Sequence, residues 1–220
     1  MKKFCAFLML LCVPACLTAC GGRSPQPQYY LLGEEPQPVA PLQGDRPTVA
    51  LRQVSLPSYL NRDALVLRSG GAVQLVVSEY HLWAEPLNRA VPRLLEETMR
   101  PLLQEKGLNL LWPDAADAAL QTDVAFLRLD GIPGGSAGIS ARWRILYREG
   151  GLLAQGVFTK EADAGNTHES MVRALSRLLA DFGRELARAA DGAYGRFTAQ
   201  HRDGTGKTEQ VPLVIKRGVR

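Results

Sequence analysis

The chain has 220 residues, 46% of them hydrophobic and 22% charged, with a formal net charge of +4 and a pI near 9.0. That length and hydrophobic content suit one packed domain of ordinary size and exclude an intrinsically disordered chain. Lys2 and Lys3 sit in a removable leader, and +4 minus these two leaves +2, too little to point to nucleic acid.

The leader comes first. Lys2 and Lys3 form a charged start, and Phe4 to Leu17 is almost wholly apolar. This run is too short to span a bilayer and has the layout of a secretory signal, residues 1–19. Leu17-Thr18-Ala19-Cys20 closes it and resembles the lipobox of bacterial lipoproteins. That resemblance implies a lipid on the Cys20 thiol and a mature chain beginning at Cys20. Several acyl chains on one residue give stable membrane anchoring, whereas one does not. Of the four cysteines, Cys5, Cys12 and Cys16 leave with the leader. Only Cys20 remains, so an exported domain has neither a disulfide framework nor a cysteine metal site.

Residues 20–47 read as a lipidated tether. Pro25, Pro27, Pro36, Pro38, Pro41 and Pro47 keep it extended. One apolar patch, Tyr29-Tyr30-Leu31-Leu32, is a candidate first strand. If it docks, the free leash runs only from Cys20 to Tyr29, roughly 30 Å at about 3.1 Å per residue.

A domain over residues 48–190 follows. Thr48–Val54 reads as a strand. Leu65–Leu67 and Val73–Val77 flank Ser69-Gly70-Gly71-Ala72 as a β-hairpin. Leu87, Val91, Leu94, Leu95, Thr98 and Leu102 recur at helical spacing, opened by Pro86, with Pro92 and Pro101 predicting kinks or a break. Gln121–Leu129 reads as a further strand. Ile139, Ala141, Trp143, Ile145 and Tyr147 alternate with Ser140, Arg142, Arg144 and Arg148, which predicts one buried and one cationic face. Glu149-Gly150-Gly151 turns the chain into Leu152–Lys160. Met171, Leu175, Leu178, Leu179, Phe182 and Leu186 make a second helical stripe, with Thr167 and Ser170 as caps. The fold class is α+β, a largely antiparallel sheet with two amphipathic helices packed on one face. Residues 191–220, polar, glycine-rich and basic, read as a mobile tail.

Three patterns suggest chemistry and fail on context. Gly204-Thr205-Gly206-Lys207-Thr208 lacks the first glycine of a phosphate-binding loop, since His201 stands there. Gly134-Gly135-Ser136-Ala137-Gly138 fits G-x-S-x-G, and Asp163 and His168 follow in hydrolase order, but a strand rather than a helix follows Ser136. His81, His168 and His201 have no ligand spacing, and Asp114, Asp117, Asp123 and Asp130 do not space as a calcium loop. Glu96 and Glu97 read as a solvated helix surface. No catalytic residue, metal site or cofactor is expected, and a serine hydrolase using Ser136 is kept as an alternative.

In their order, the pieces resemble the PqiC family, auxiliary lipoproteins of ABC-type or Mce-type lipid transport. The carrying residues are the lipobox at Cys20, Tyr29-Tyr30-Leu31-Leu32, Leu60-Asn61-Arg62, the strand pair within 65–77, Trp83-Ala84-Glu85-Pro86-Leu87, Ala141-Arg142-Trp143 and the closing amphipathic helix. Pro101 and the long basic tail depart from the pattern. The resemblance implies a non-enzymatic envelope lipoprotein that works with an inner-membrane transport component and a periplasm-spanning Mce-domain protein. It also implies a homo-oligomer. Gly21, where an aspartate would retain a lipoprotein at the inner membrane, favours the outer membrane. An envelope anchor without a transport role is the other reading. Tyr29, Tyr30, Trp83, Arg142 and Arg144 are the candidate partner contacts. Trp83 also reads as a core aromatic, Tyr29-Tyr30 as an internal strand or an exposed edge, and the arginines as a solvated face.

Overall fold

The computed structural model describes residues 25–33, 41, 44, 46–69, 73–112, 118–148 and 150–202. The leader, Cys20, most of the proline-rich tether, Gly70–Ala72, Asp114, Asp117, Glu149 and everything from residue 203 onward, including Gly204–Thr208, lie outside the described residues.

Among the described residues, eight strands form one open, mixed sheet: β1 (Gln28–Tyr30), β2 (Thr48–Ser55), β3 (Ala64–Arg68), β4 (Leu75–Trp83), β5 (Asn109–Leu111), β6 (Leu120–Gly131), β7 (Gly135–Tyr147) and β8 (Leu152–Gly165). Two helices accompany it, α1 (Leu87–Glu105) and α2 (His168–Arg202). The α+β class and mainly antiparallel sheet agree with the sequence reading.

The long strands β6, β7 and β8 make an antiparallel meander. Its register follows from alternation: Ala137, Ile139, Ala141 and Ile145 are buried, while Arg142 and Arg144 are exposed. The other edge of β6 is shared. Its first half pairs in parallel with β2, which also pairs in parallel with β5. Its last residue, Gly131, pairs with Leu67 of β3. The β3–β4 hairpin therefore hangs on the end of β6, and β1 closes that side by pairing in parallel with β4.

The helices supply the other core layer. α1 buries Leu87, Ala90, Val91, Leu94, Leu95, Met99 and Leu103, whereas Leu102 is only half-buried, so the stripe turns toward Leu103 in the last turns. The expected break is absent, and α1 is one helix with both Pro92 and Pro101 inside it. Packing against β2, β5 and α2 compensates the two lost backbone bonds. The two helices approach closely at Gly183, where a Cβ would lie 3.0 Å from the Thr98 side chain. Phe182 is fully buried, edge-on to Phe126 at 5.8 Å and tilted against Phe158 at 5.0 Å.

The boundary expected at 190 falls inside α2, which continues to Arg202. Ala190 and Ala193 are buried, and Phe197 stacks on Tyr147 at 6.0 Å. Gly192 and Gly195 lower local helix propensity, which disguises the continuation, but this apolar stripe outweighs them.

Candidate partner-binding site

Three of the five candidate contacts meet at the β1–β4 edge. Parallel pairing sets Tyr29 opposite Leu82 and Tyr30 opposite Trp83. Trp83 is 7% exposed and belongs to the core, so only the tyrosines present surface there. Tyr29 is 65% exposed. Leu32, just beyond β1, is wholly buried. The backbone around it is tied to both helices. Arg93 Nη2 of α1 donates to the Leu32 carbonyl at 2.9 Å, and Gly33 N–H donates to Ser176 Oγ of α2 at 2.9 Å. Arg93 is itself held between Glu85 and Glu97. Residues 28–33 thus form a strap tied to the N-terminal halves of both helices. Gly33 has φ +98°, a conformation that suits glycine where the strap turns away.

Beside the strap lies an open pocket of about 380 Å³, lined by Tyr29, Tyr30, His81, His168 and Glu169 among others. The Tyr30 phenol donates to Gln28 Oε1 at 2.7 Å, and with its one proton so committed it accepts from His81 Nδ1 at 2.8 Å. The His81 ring stacks on His168 with centroids 3.6 Å apart and planes 13° from parallel. Burial, then the neighbouring His81, holds His168 below the usual histidine range. Burial, then Glu169, pushes the Tyr30 phenol up. A reciprocal cap fixes this end of α2: Ser170 N–H donates to Thr167 Oγ1 at 3.0 Å, and Thr167 N–H donates to Ser170 Oγ at 3.0 Å. The sequence reading assigned these caps but missed the histidine pair, because nothing local joins position 81 to position 168.

The other two candidates lie on the sheet face turned away from the helices, and they differ. Asp123 takes two bonds from Arg52, Nε at 2.8 Å and Nη2 at 2.5 Å, and one from Arg144 Nε at 2.9 Å. Arg144 is therefore engaged within the fold. Arg142 is exposed and makes no ion pair among the described residues. A second buried carboxylate repeats the pattern. Asp130 takes Arg68 Nε at 2.9 Å, Arg68 Nη2 at 2.5 Å and Arg128 Nε at 2.7 Å, and Arg128 also meets Glu161. Burial alone would push both carboxylates up. The guanidinium hydrogen bonds and charges outweigh it and hold Asp123 and Asp130 below the usual carboxylate range.

The hydrolase pattern does not assemble an acyl-transfer site. Ser136 lies in β7 opposite Asp163 of β8, and the Asp163 carboxylate accepts from Gly165 N–H at 2.7 Å. The His168 ring stacks on His81 and is bonded to neither Ser136 nor Asp163. Among the described residues, no group of three or more histidine, aspartate, glutamate or cysteine side chains is placed to hold a metal, and no helix is long and apolar enough to cross a membrane.

Residues 30–187 match the family model described as ABC-type transport auxiliary lipoprotein component. Two solved structures share the fold. One is the crystal structure of an uncharacterized protein, at 24% identity and TM-score 0.62, covering 74% of this chain and 98% of that one. The other is protein XCC0632 from Xanthomonas campestris, from family DUF330, at 14% identity and TM-score 0.54, covering 81% of this chain and 100% of that one. No curated protein matches the sequence.

Proposed function

The chain belongs to the ABC-type transport auxiliary lipoprotein family, and on that premise we propose a non-catalytic accessory subunit of an Mce/ABC-type system that moves lipid between membranes and maintains envelope integrity. It is held by acylated Cys20 and faces the periplasm, with Gly21 after the cysteine favouring the outer membrane. It works as a homo-oligomer beside a periplasm-spanning Mce-domain protein and an inner-membrane transport component. Tyr29, Tyr30 and Arg142 are the side chains offered to a partner.

The single observation that carries this reading is the family match across nearly the whole described domain. The strap supports it. With Leu32 buried and Gly33 tied to α2, little chain is left between Cys20 and the domain. An anchored part with a short leash suits docking close to a membrane.

The test is purification of the tagged full-length protein from native membranes in mild detergent, with mass spectrometry of what accompanies it. The expected result is an acylated Cys20 and recovery of an Mce-domain protein or its inner-membrane partner. Recovery of the acylated protein alone, after cross-linking and in several detergents, would leave an envelope anchor without a transport role.

A further inference from the structure

The outer face of the β6–β8 meander has a layout that the fold alone does not use. On β8, Phe158 packs against Phe182 and Lys160 pairs with Asp181, so both point toward α2. Alternation turns Val157 and Thr159 to the opposite face. The register then lines up Ala125, Arg142 and Val157 in one row across the three strands. Ser140 and Thr159 form the next row, joined by their hydroxyls at 3.0 Å, and Leu127 sits beside them in the β6 bulge. Val157 is 56% and Leu127 45% exposed.

Charged ridges bound these rows on both sides. On one side Asp123 joins Arg52 and Arg144. On the other, Asp130 joins Arg68 and Arg128, and Arg128 reaches on to Glu161. Gly138 makes room for that reach, since a Cβ there would lie 2.7 Å from Arg128 Cζ. Arg144 and Gly138 are six residues apart on β7, roughly 20 Å at about 3.3 Å per residue. The space between the ridges is therefore wide enough for one helix or extended segment, about 10 Å across.

Arg142 stands in the middle of this trough. Its cross-strand neighbours are Ala125 and Val157, and it makes no ion pair among the described residues, whereas the ridge arginines are held by carboxylates. A guanidinium is a planar donor fork that suits a carboxylate. Its backbone is paired on both sides, by β6 and β8, so little order is lost on binding. An arginine ringed by small and apolar side chains also has the layout of a binding hot spot. A lipid surface suits this face less well. Lipid phosphates are taken up by clusters of free cations, and apolar insertion needs protruding side chains, whereas here Leu127 and Val157 lie low between paired ridges.

We propose that this trough receives an acidic segment of a second, different protein, with a carboxylate on Arg142 and apolar side chains over Leu127 and Val157. The inference deepens the accessory-subunit reading above and rests on it for the existence of a protein partner. It adds where the partner sits and what chemistry it presents.

The test uses the full-length protein carrying Arg142→Lys, in native membranes treated with a carbodiimide, which joins an amine to a touching carboxylate without a spacer. Lys160 and Asp181, 2.6 Å apart, supply an internal control amide. Mass spectrometry should find an amide from position 142 to an aspartate or glutamate of another protein. Adding Val157→Asp puts a competing carboxylate directly opposite position 142. The foreign amide should then fall at least about five-fold, with an amide to position 157 in its place, while the control amide persists. An amide from position 142 to a second copy of this chain overturns the proposed occupant. Foreign amides at other lysines but none at position 142 overturn the trough and leave the accessory-subunit reading standing. The control amide with no foreign protein at any lysine overturns both.

Discussion

The β6–β8 meander and the strap with its β3–β4 edge are held by different means. The meander joins strands adjacent in sequence, and its outer face is crossed by Arg52–Asp123–Arg144 and Arg68–Asp130–Arg128. The strap is six residues long and is held by its short parallel pairing with β4, the Ala84 N–H to Tyr30 carbonyl bond, one buried leucine, one hydrogen bond to each helix and a tyrosine–histidine contact. The first region is rigid by redundancy. The second has fewer contacts to share the load when one is lost. An anchored protein gains from this arrangement, since the part nearest its leash can yield without unfolding the part that carries the core.

The largest effect should come from the meander. In Asp130→Ala, Arg68 and Arg128 lose their buried partner, and Arg68 is only 24% and Arg128 25% exposed at the side chain. Removing one partner of such a group costs about 3 kcal/mol. Urea unfolding should show this as a lower midpoint with an unchanged slope. A loss below about 0.5 kcal/mol, the size of an ordinary surface substitution, would mean that the carboxylate is dispensable.

Leu32→Ala should act on the other region and cost about 2 kcal/mol at its native site. Because the strap can open separately, the effect should be local. Amide exchange at Tyr29–Gly33 should accelerate while β7 and β8 keep their protection. Equal acceleration in both regions would make strap and meander one cooperative unit.

Acid should separate the regions by pH. His168 is held below its ordinary value, so its uncharged form is favoured in the fold. Its contribution is fully present above the unfolded value of about 6.5 and is lost as pH falls through the lower folded value. Protonation then places a positive charge within the 3.6 Å stack, beside Tyr30 and Glu169. Asp123 and Asp130 are also held low, so their contribution is present above the unfolded value of about 3.9 and fails only as pH falls through still lower folded values. Exchange followed by mass spectrometry should show the strap opening below pH 6.5 and the meander below about pH 4. Simultaneous opening would break the distinction.

How far each region was legible follows the same division. Ile139 to Tyr147 declared a strand by alternation alone, and the turn after Tyr147 announced its hairpin partner. Met171 to Leu186 declared α2 by spacing. These are local patterns with a fixed period. The parallel pairings of β1 with β4 and of β2 with β6 join distant segments and leave no local trace. The short strand β5 was missed for the same reason: Asn109–Leu111 is too brief to show a period. In the site, Tyr29 and Tyr30 were found by composition within a proline-rich stretch. His81 and His168 were judged scattered because only the fold stacks them. Trp83 was visible, but its burial was one of two open readings.

The smallest effect distinguishes two arginines that look alike in sequence. Arg142 and Arg144 sit on the same face of β7, two residues apart. Arg144→Ala removes one of the two cations on Asp123, and with Arg144 itself 56% exposed the cost should be about 0.5–1 kcal/mol. Arg142→Ala breaks no ion pair among the described residues and should change stability by less than about 0.5 kcal/mol. A guanidinium held in place for the fold is a poor candidate for a partner, while an unengaged one on a rigid strand loses little order on binding. Arg142→Glu should therefore leave the urea midpoint of the domain in place and weaken recovery of the co-purifying partner. Arg144→Ala should do the reverse. If both substitutions spare recovery, the cationic face is a solvated surface, and the partner contact lies with Tyr29 and Tyr30 at the opposite edge of the sheet.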